Sequence, residues 1–271
     1  MIKKMNTLET QLQFAIAVAR EAGEIMRMYF HSQDKGTETK QDNSPVTLAD
    51  KAVNQMLIDR VREAFPDHGV LGEEQSYQAD RKELWVCDPI DGTVGFILGV
   101  PTAMFSLAYV VDGEPQAAVM YEPLLDKLFT AAKGQGAFLN GRPIHVNDRP
   151  SLDGASVGIT ASARQMLQRE RFCNAMLDDG AQLLTIPGNV FKGALVAQGR
   201  LDAYIFPGLS AHDIAAEKLI IEEAGGKVTD IDGNEQRYDR AIRGAIISNG
   251  KLHDVLVKHL ADYGAEDYLG Y

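Results

Sequence analysis

The chain has 271 residues, 45% hydrophobic and 24% charged, enough for one large domain or two small packed ones around a sizeable core. Its 27 Lys and Arg against 38 Asp and Glu give a formal charge of −11, which argues against nucleic acid as a partner. It leaves room for a small anionic ligand, because a local metal site can reverse the local field.

The first twenty residues begin with lysines, but Glu9 and Arg20 interrupt any signal-like apolar stretch. No run approaches the ~18 apolar residues of a membrane span. Cys87 and Cys173 have no CxxC or zinc-like spacing, and a reducing cytoplasm is expected. Leu12, Ile16, Ala19, Ala22, Ile25, Met26 and Tyr29 predict a helix over 7–31, behind an Asn6/Glu9 capping box. The polar stretch 31–47, with Gly and Pro, reads as a lid loop. A second helix is expected over 48–65, stopped by Pro66. Strand patterns follow in LWVC, AMFSLAYVV, QAAVMY and KLFTAA, with Asp112-Gly113 and Asn140-Gly141 as hairpin turns. Beyond 150, the short apolar strands VGIT, LLTI, LDAYIF and GAIIS alternate with helices expected over 162–178, 189–198, 211–224 and 251–262. The expectation is an α+β half, 1–150, holding the metal-binding residues, and an α/β half, 151–271, completing the site.

Acidic residues recur at four separate places: Asp50 in SPVTLAD, Glu73 and Glu74 in LGEE, Asp88 and Asp91 in DPIDGT, and Asp213 in AHDIAA. Asp50 follows Thr47 by three residues and Asp213 follows Ser210 by three, so either could complete a helix-capping box. DPIDGT is harder to explain that way. It ends a buried-looking strand with two acids, and no Lys or Arg lies within six residues downstream. Unpaired, such a pair costs several kcal/mol. A divalent cation would offset it, and oxygen ligands without nearby His or Cys point to Mg²⁺ or Mn²⁺. Gly92 permits close backbone approach, and Thr93 can open a helix to about Leu98 whose free amides favour phosphate. Together these suggest metal-assisted phosphoryl transfer.

DPIDGTVGF resembles the first signature of the inositol monophosphatase family, and AHDIAAEKLIIEEAGG resembles the second. SPVTLAD, GEE and GAFLNGRPI stand in the family's order, so the resemblance spans about Thr7 to Leu260. It implies a layered αβαβα sandwich of the inositol monophosphatase and fructose-1,6-bisphosphatase type, a homodimer, and inhibition by lithium. It also implies two or three Mg²⁺ ions. Glu73, Asp88 and the carbonyl of Ile90 would hold the first; Asp88, Asp91 and Asp213 the second; a third, weaker ion would lean on Glu73. Thr93 paired with Asp50 would orient the attacking water, and the amides of Gly92 and Thr93 would hold phosphate oxygens. Glu74 would stand one layer behind the metals. The implied activity is hydrolysis of a small phosphorylated metabolite, inositol 1-phosphate by default, without a covalent intermediate.

Some positions depart from the pattern. The family's DGTTNF is here DGTVGF, with Val94 and Gly95. His212 stands where Trp is usual, either as a packing substitute or as a group at the edge of the substrate site. Phe206 replaces a glutamate that contacts inositol hydroxyls, which disfavours inositol. DNSPVTLAD, FILGVP and GLSAHDIAA resemble the histidinol-phosphate phosphatase branch, and SPVTLAD is similar to the adenosine 3′,5′-bisphosphate phosphatases; fructose 1,6-bisphosphate is a further alternative. Lys192 reads as a solvent-facing helix lysine or, alternatively, as a site residue that attracts a second anion. GASVG, 154–158, mimics a serine-hydrolase elbow but lacks the strand-turn-helix setting. Related proteins of this fold also bind transcription machinery, so a regulatory binding protein is the rival class. The intact acids and Thr93 favour catalysis.

Overall fold

A computed structural model describes residues 7–32, 35–40, 44–159 and 170–263. Helix α1 (Thr7–Phe30) turns Ala15, Val18, Ala19, Ala22 and Met26 inward, all at most 2% exposed. This is the i, i+3, i+4 stripe that periodicity demands. After a two-residue ribbon, β1 (Glu38–Thr39) with β2 (Pro45–Val46), helix α2 (Leu48–Ala64) buries Ala49, Val53, Leu57 and Val61. Both helices lie on one face of a seven-stranded sheet.

That sheet runs in spatial order β3 (Gly69–Gly72), β4 (Glu83–Asp91), β5 (Met104–Val111), β6 (Glu114–Glu122), β7 (Lys127–Ala132), β8 (Ala137–Leu139) and β9 (Arg142–Pro143). Only β3 and β4 pair in parallel. Asp112-Gly113 and Asn140-Gly141 have φ of 49° and 87°, and 48° and 75°. Positive φ at both central residues makes the tight turn whose twist suits a hairpin.

A second sheet has the order β11 (Gln182–Leu184), β10 (Ser156–Ile159), β12 (Ala203–Phe206), β14 (Ala245–Ser248) and β13 (Lys227–Thr229). Between the sheets lie α5 (Asn189–Ala197) and α6 (Ala211–Glu223); α4 (Glu170–Asp178) and α7 (His253–Tyr263) cover the outer face. Helix α6 is buried almost continuously from Ile214 to Ile221 because a sheet covers it on each side. The layers are therefore α, β, α, β, α.

Strand alternation sorts the core. In β4, Leu84 and Val86 face the central helices, while Trp85 and Cys87 face α1 and α2. In β12, Tyr204 and Phe206 face inward and Ala203 and Ile205 outward. The central layer thus receives apolar side chains from both sheets, and it is there that the acids collect.

The helix expected over 162–178 is described only from Glu170, since 160–169 lie outside the described residues, as do Asn6 of the first capping box and parts of the loop 31–47. The GASVG stretch enters β10 at Ser156, a strand and not an elbow.

Candidate active site

By alternation Asp88 falls on the face of Leu84 and Val86, toward the central layer, whereas Asp91 would fall on the other. The register decides otherwise. Asp88 pairs with Ser106 and Asp91 with Met104, so three steps along β4 match two along β5. One extra residue is a bulge; it reverses the alternation and brings Asp91 to the same side as Asp88. Pro89, which has no N–H to offer the ladder, sits inside the irregularity. From the second half of the chain, Asp213 enters on the first turn of α6. Asp88, Asp91 and Asp213 each offer an oxygen within 4.8 Å of the others.

Each carboxylate has a backbone or amide donor of its own. Asp88 Oδ1 accepts from Ile90 N at 3.0 Å. Asp91 accepts from the amides of Asn189 and Val190, both at 2.9 Å, and Asp213 Oδ1 accepts from Asn189 Nδ2 at 3.1 Å. These donors do not cancel the repulsion. Burial, then Glu73, Asp91 and Asp213, push Asp88 well above the usual carboxylate range. Burial first, with Asp213 next, pushes Asp91 up to about 7, and burial likewise brings Asp213 to about 7. Two buried acids and the partly buried Asp213, all raised for want of a counter-charge and offering oxygen ligands only, fit a hard divalent cation.

Asp50 satisfies both of its readings. Its Oδ2 accepts from Thr47 N at 2.8 Å and from Thr47 Oγ1 at 2.5 Å, forming the capping box of α2. Its Oδ1 lies 3.5 Å from Thr93 Oγ1, whose hydroxyl also reaches the Ile90 carbonyl at 3.1 Å. Burial raises Asp50, and the Thr47 hydrogen bonds oppose the shift. The matching box at α6 does not form, because the Ser210 side chain makes no capping bond. Gly92, φ 81°, precedes α3 (Thr93–Leu98); a Cβ there would lie 3.2 Å from Gly188 Cα.

Glu73 borders the same cavity but stands outside the close triad. Lys40 Nζ approaches it at 2.7 Å and Glu74 at 2.5 Å. Burial works against the Lys40 charge, but the two carboxylates more than offset it and raise its pKa. His212 is partly buried, its Nε2 3.7 Å from Asp213 Oδ2, and burial shifts it toward the neutral form. Phe206 is buried in β12, with its ring beneath Gly208.

Lys192 corrects its first reading. It is 2% exposed rather than solvent-facing, and its ammonium donates to Ile186 O at 3.1 Å, Gly188 O at 2.9 Å and Asn189 Oδ1 at 3.2 Å. All three protons are engaged, which leaves none for a second anion. Asn189 and Lys40 are site residues that pattern reading missed. The glycine before Asn189 in PGNVF was the one available signal, marking a turn where backbone approaches closely.

The cavity of about 650 Å³ over Asp91, Gly92 and Thr93 is lined further by apolar Pro45, Val94, Ile159, Ile186 and Pro187 and by polar Ser44, Thr185, Asn189 and Lys192.

Residues 7–265 match the profile described as the inositol monophosphatase family. The chain is 33% identical over 248 residues to the fructose-1,6-bisphosphatase/inositol-1-monophosphatase of Thermotoga maritima, covering 92% of this chain and 94% of that one. It is 35% identical over 243 residues to the Nus factor SuhB of Pseudomonas aeruginosa, covering 86% and 90%. The solved Thermotoga maritima IMPase superposes with a TM-score of 0.85 at 31% identity, over 95% of this chain and 99% of that one.

Proposed function

The chain belongs to the inositol monophosphatase family and is a phosphoric monoester hydrolase, and from that premise we propose that it cleaves a small phosphate monoester with Mg²⁺ held by Glu73, Asp88, the Ile90 carbonyl, Asp91 and Asp213. The close triad of Asp88, Asp91 and Asp213 carries the reading. Mg²⁺ there would supply the charge that acidifies a water and neutralises the phosphoryl group; Mn²⁺ suits the same oxygen set.

The chain's own groups do the orienting. Thr47 occupies Asp50 Oδ2 and so leaves Oδ1 for Thr93. With its proton directed to Asp50 or to Ile90 O, the Thr93 oxygen has lone pairs free to accept from the attacking water. Gly92 and Thr93 border the cavity beside Asp91, where their amides would hold phosphate oxygens. Neutral His212, against Asp213, would act at the edge of the site.

The apolar part of the lining bears on the alcohol. Each inositol hydroxyl buried unpaired against Ile159, Ile186 or Pro187 costs about 1–3 kcal/mol. A second phosphate, as in the fructose and adenosine bisphosphates, needs a cation, and Lys192 is already engaged. Histidinol phosphate has one phosphate, a flat ring in place of a ring of hydroxyls, and an ammonium that the site's carboxylates would attract, so it suits this lining better than inositol 1-phosphate. The decisive experiment measures phosphate release from all four esters, with Mg²⁺ and with EDTA. The expected result is EDTA-sensitive turnover with the highest kcat/KM for histidinol phosphate; highest kcat/KM for inositol 1-phosphate would refute this assignment of the lining.

The reading carries with it a cytoplasmic homodimer inhibited by lithium. Among the described residues no helix is long and apolar enough to cross a membrane. The name Nus factor, borne by the Pseudomonas aeruginosa relative, favours a second role as a regulatory binding protein. Such a role would persist in an Asp91→Asn variant that no longer hydrolyses substrate.

A further inference from the structure

Lys192 is a buried cation that the hydrolytic chemistry above does not use. Its surroundings make room for it. A Cβ on Gly158 would lie 3.1 Å from Lys192 Cδ, and one on Gly193 would lie 2.4 Å from Glu217 Oε2. Glu217 is fully buried on α6, accepts from Tyr204 Oη at 2.5 Å, and has Oε1 without a hydrogen-bond partner. Burial pulls the Lys192 pKa down, and Asp91, Glu217 and Asp213 work against that shift.

What the ammonium holds is the turn 186–189, and through it both aspartates. An ammonium only donates, and an ionised carboxylate only accepts. Asn189 sits between the two. Its Oδ1 faces Lys192, so its Nδ2 must face Asp213, while its backbone N–H meets Asp91. Asp213 and Lys192 thus select the same orientation of the amide, the carboxylate by accepting from Nδ2 and the ammonium by donating to Oδ1.

We propose that Lys192 is a positioning residue for the metal centre: by donating to Asn189 Oδ1 and to the Ile186 and Gly188 carbonyls at the border of the cavity, it holds the turn whose amides orient Asp213 and Asp91. The proposal rests on the reading of Asp91 and Asp213 as metal ligands. Partners that orient ligands in this way typically change metal affinity by ten- to a hundredfold.

The test is a Mn²⁺ titration of the metal-free protein by electron paramagnetic resonance, paired with substrate KM at saturating metal. It compares the wild type, Lys192→Met, Asn189→Ala and the double variant. The expected result is Mn²⁺ binding about tenfold or more weaker in each single variant. The double variant should be no worse than Asn189→Ala, and KM should be unchanged. Tighter Mn²⁺ binding in Lys192→Met would mean that the lysine acts only by repelling the ion, and would overturn the proposal. So would additive losses, or unchanged metal affinity with a raised KM. If Lys192→Met does not fold, Asn189→Ala alone decides, and an unchanged Mn²⁺ affinity there refutes the relay. A wild type that binds no Mn²⁺ would sink the metal reading itself and this proposal with it.

Discussion

Asp91 accepts two backbone amides and lies beside Asp213; asparagine keeps its shape and one of its two acceptor oxygens while removing the charge that a cation would need. Asp91→Asn should lower turnover by several orders of magnitude with a circular dichroism spectrum like the wild type; near wild-type rates would remove Asp91 from the chemistry. The pH dependence of the metal-free protein follows from the same pair. Burial pushes Asp91 and Asp213 up to about 7 in the folded chain, from an ordinary carboxylate value of 3.8. Between about pH 4 and 7 the folded chain keeps protons that the unfolded chain has released, so stability falls as pH rises through that window. The metal-free wild type should therefore lose melting temperature from about pH 5 to pH 7.5, and Asp91→Asn should lose less. Mg²⁺ should restore stability mainly at the upper end; an equal gain from Mg²⁺ at both ends would contradict this linkage. The clustered acids were legible in the sequence because each stands beside turn-forming or capping residues and is costly to bury with its charge unpaired. Asn189 and Lys40 were not, being ordinary polar residues whose partners come from distant parts of the chain. Lys192 was misread because its neighbours, Gly193 and Ala194, do not reveal that Glu217 and Tyr204 close over it.

At the scale of elements, the site depends on where strands and helices begin and end. Thr47 caps α2 and aims Asp50, so Thr47→Ala should cost about 1 kcal/mol of stability and also lower kcat. Denaturant unfolding and steady-state kinetics would check both, and an unaffected kcat would detach Asp50 from Thr93. Gly188, φ 87°, is a tight junction: a Cβ there would come within 2.9 Å of Asp91 Oδ2 and 3.0 Å of Thr102 O. Gly188→Ala should destabilise by about 1–3 kcal/mol and weaken Mn²⁺ binding; unchanged binding would show that Asp91 has slack. Both central helices, α1, α2, the long strands and the two Gly hairpins could be read from periodicity and turn chemistry. The short strands β3 and β13 could not, since GVLG and KVT are set among glycines and charged residues and take their strand form from a neighbour. The bulge that brings Asp91 to the side of Asp88 was equally hidden, although Pro89 in a strand pattern was a signal for it.

At the scale of the molecule, the central helices fill one core that both sheets share, so the halves divided near residue 150 are not expected to melt apart. Trp85, the single tryptophan, is fully buried between the seven-stranded sheet and α1 and α2. Its fluorescence and the far-ultraviolet circular dichroism should report the same denaturant midpoint. Two separated midpoints would mean that the halves are independent after all. The interleaving also imposes an order in time on a growing chain. Asp88 and Asp91 leave the ribosome on the order of ten seconds before Asp213 at ordinary rates of synthesis, and the turn bearing Asn189 emerges in the same interval. During that interval the nascent strand β4 ends in two acids with no third to share an ion, and α1 and α2 have a sheet face to cover while its opposite face stays bare. The vulnerable intermediate of this protein is therefore a half-clad sheet with an acidic edge, a surface for a chaperone to shield until the second half arrives.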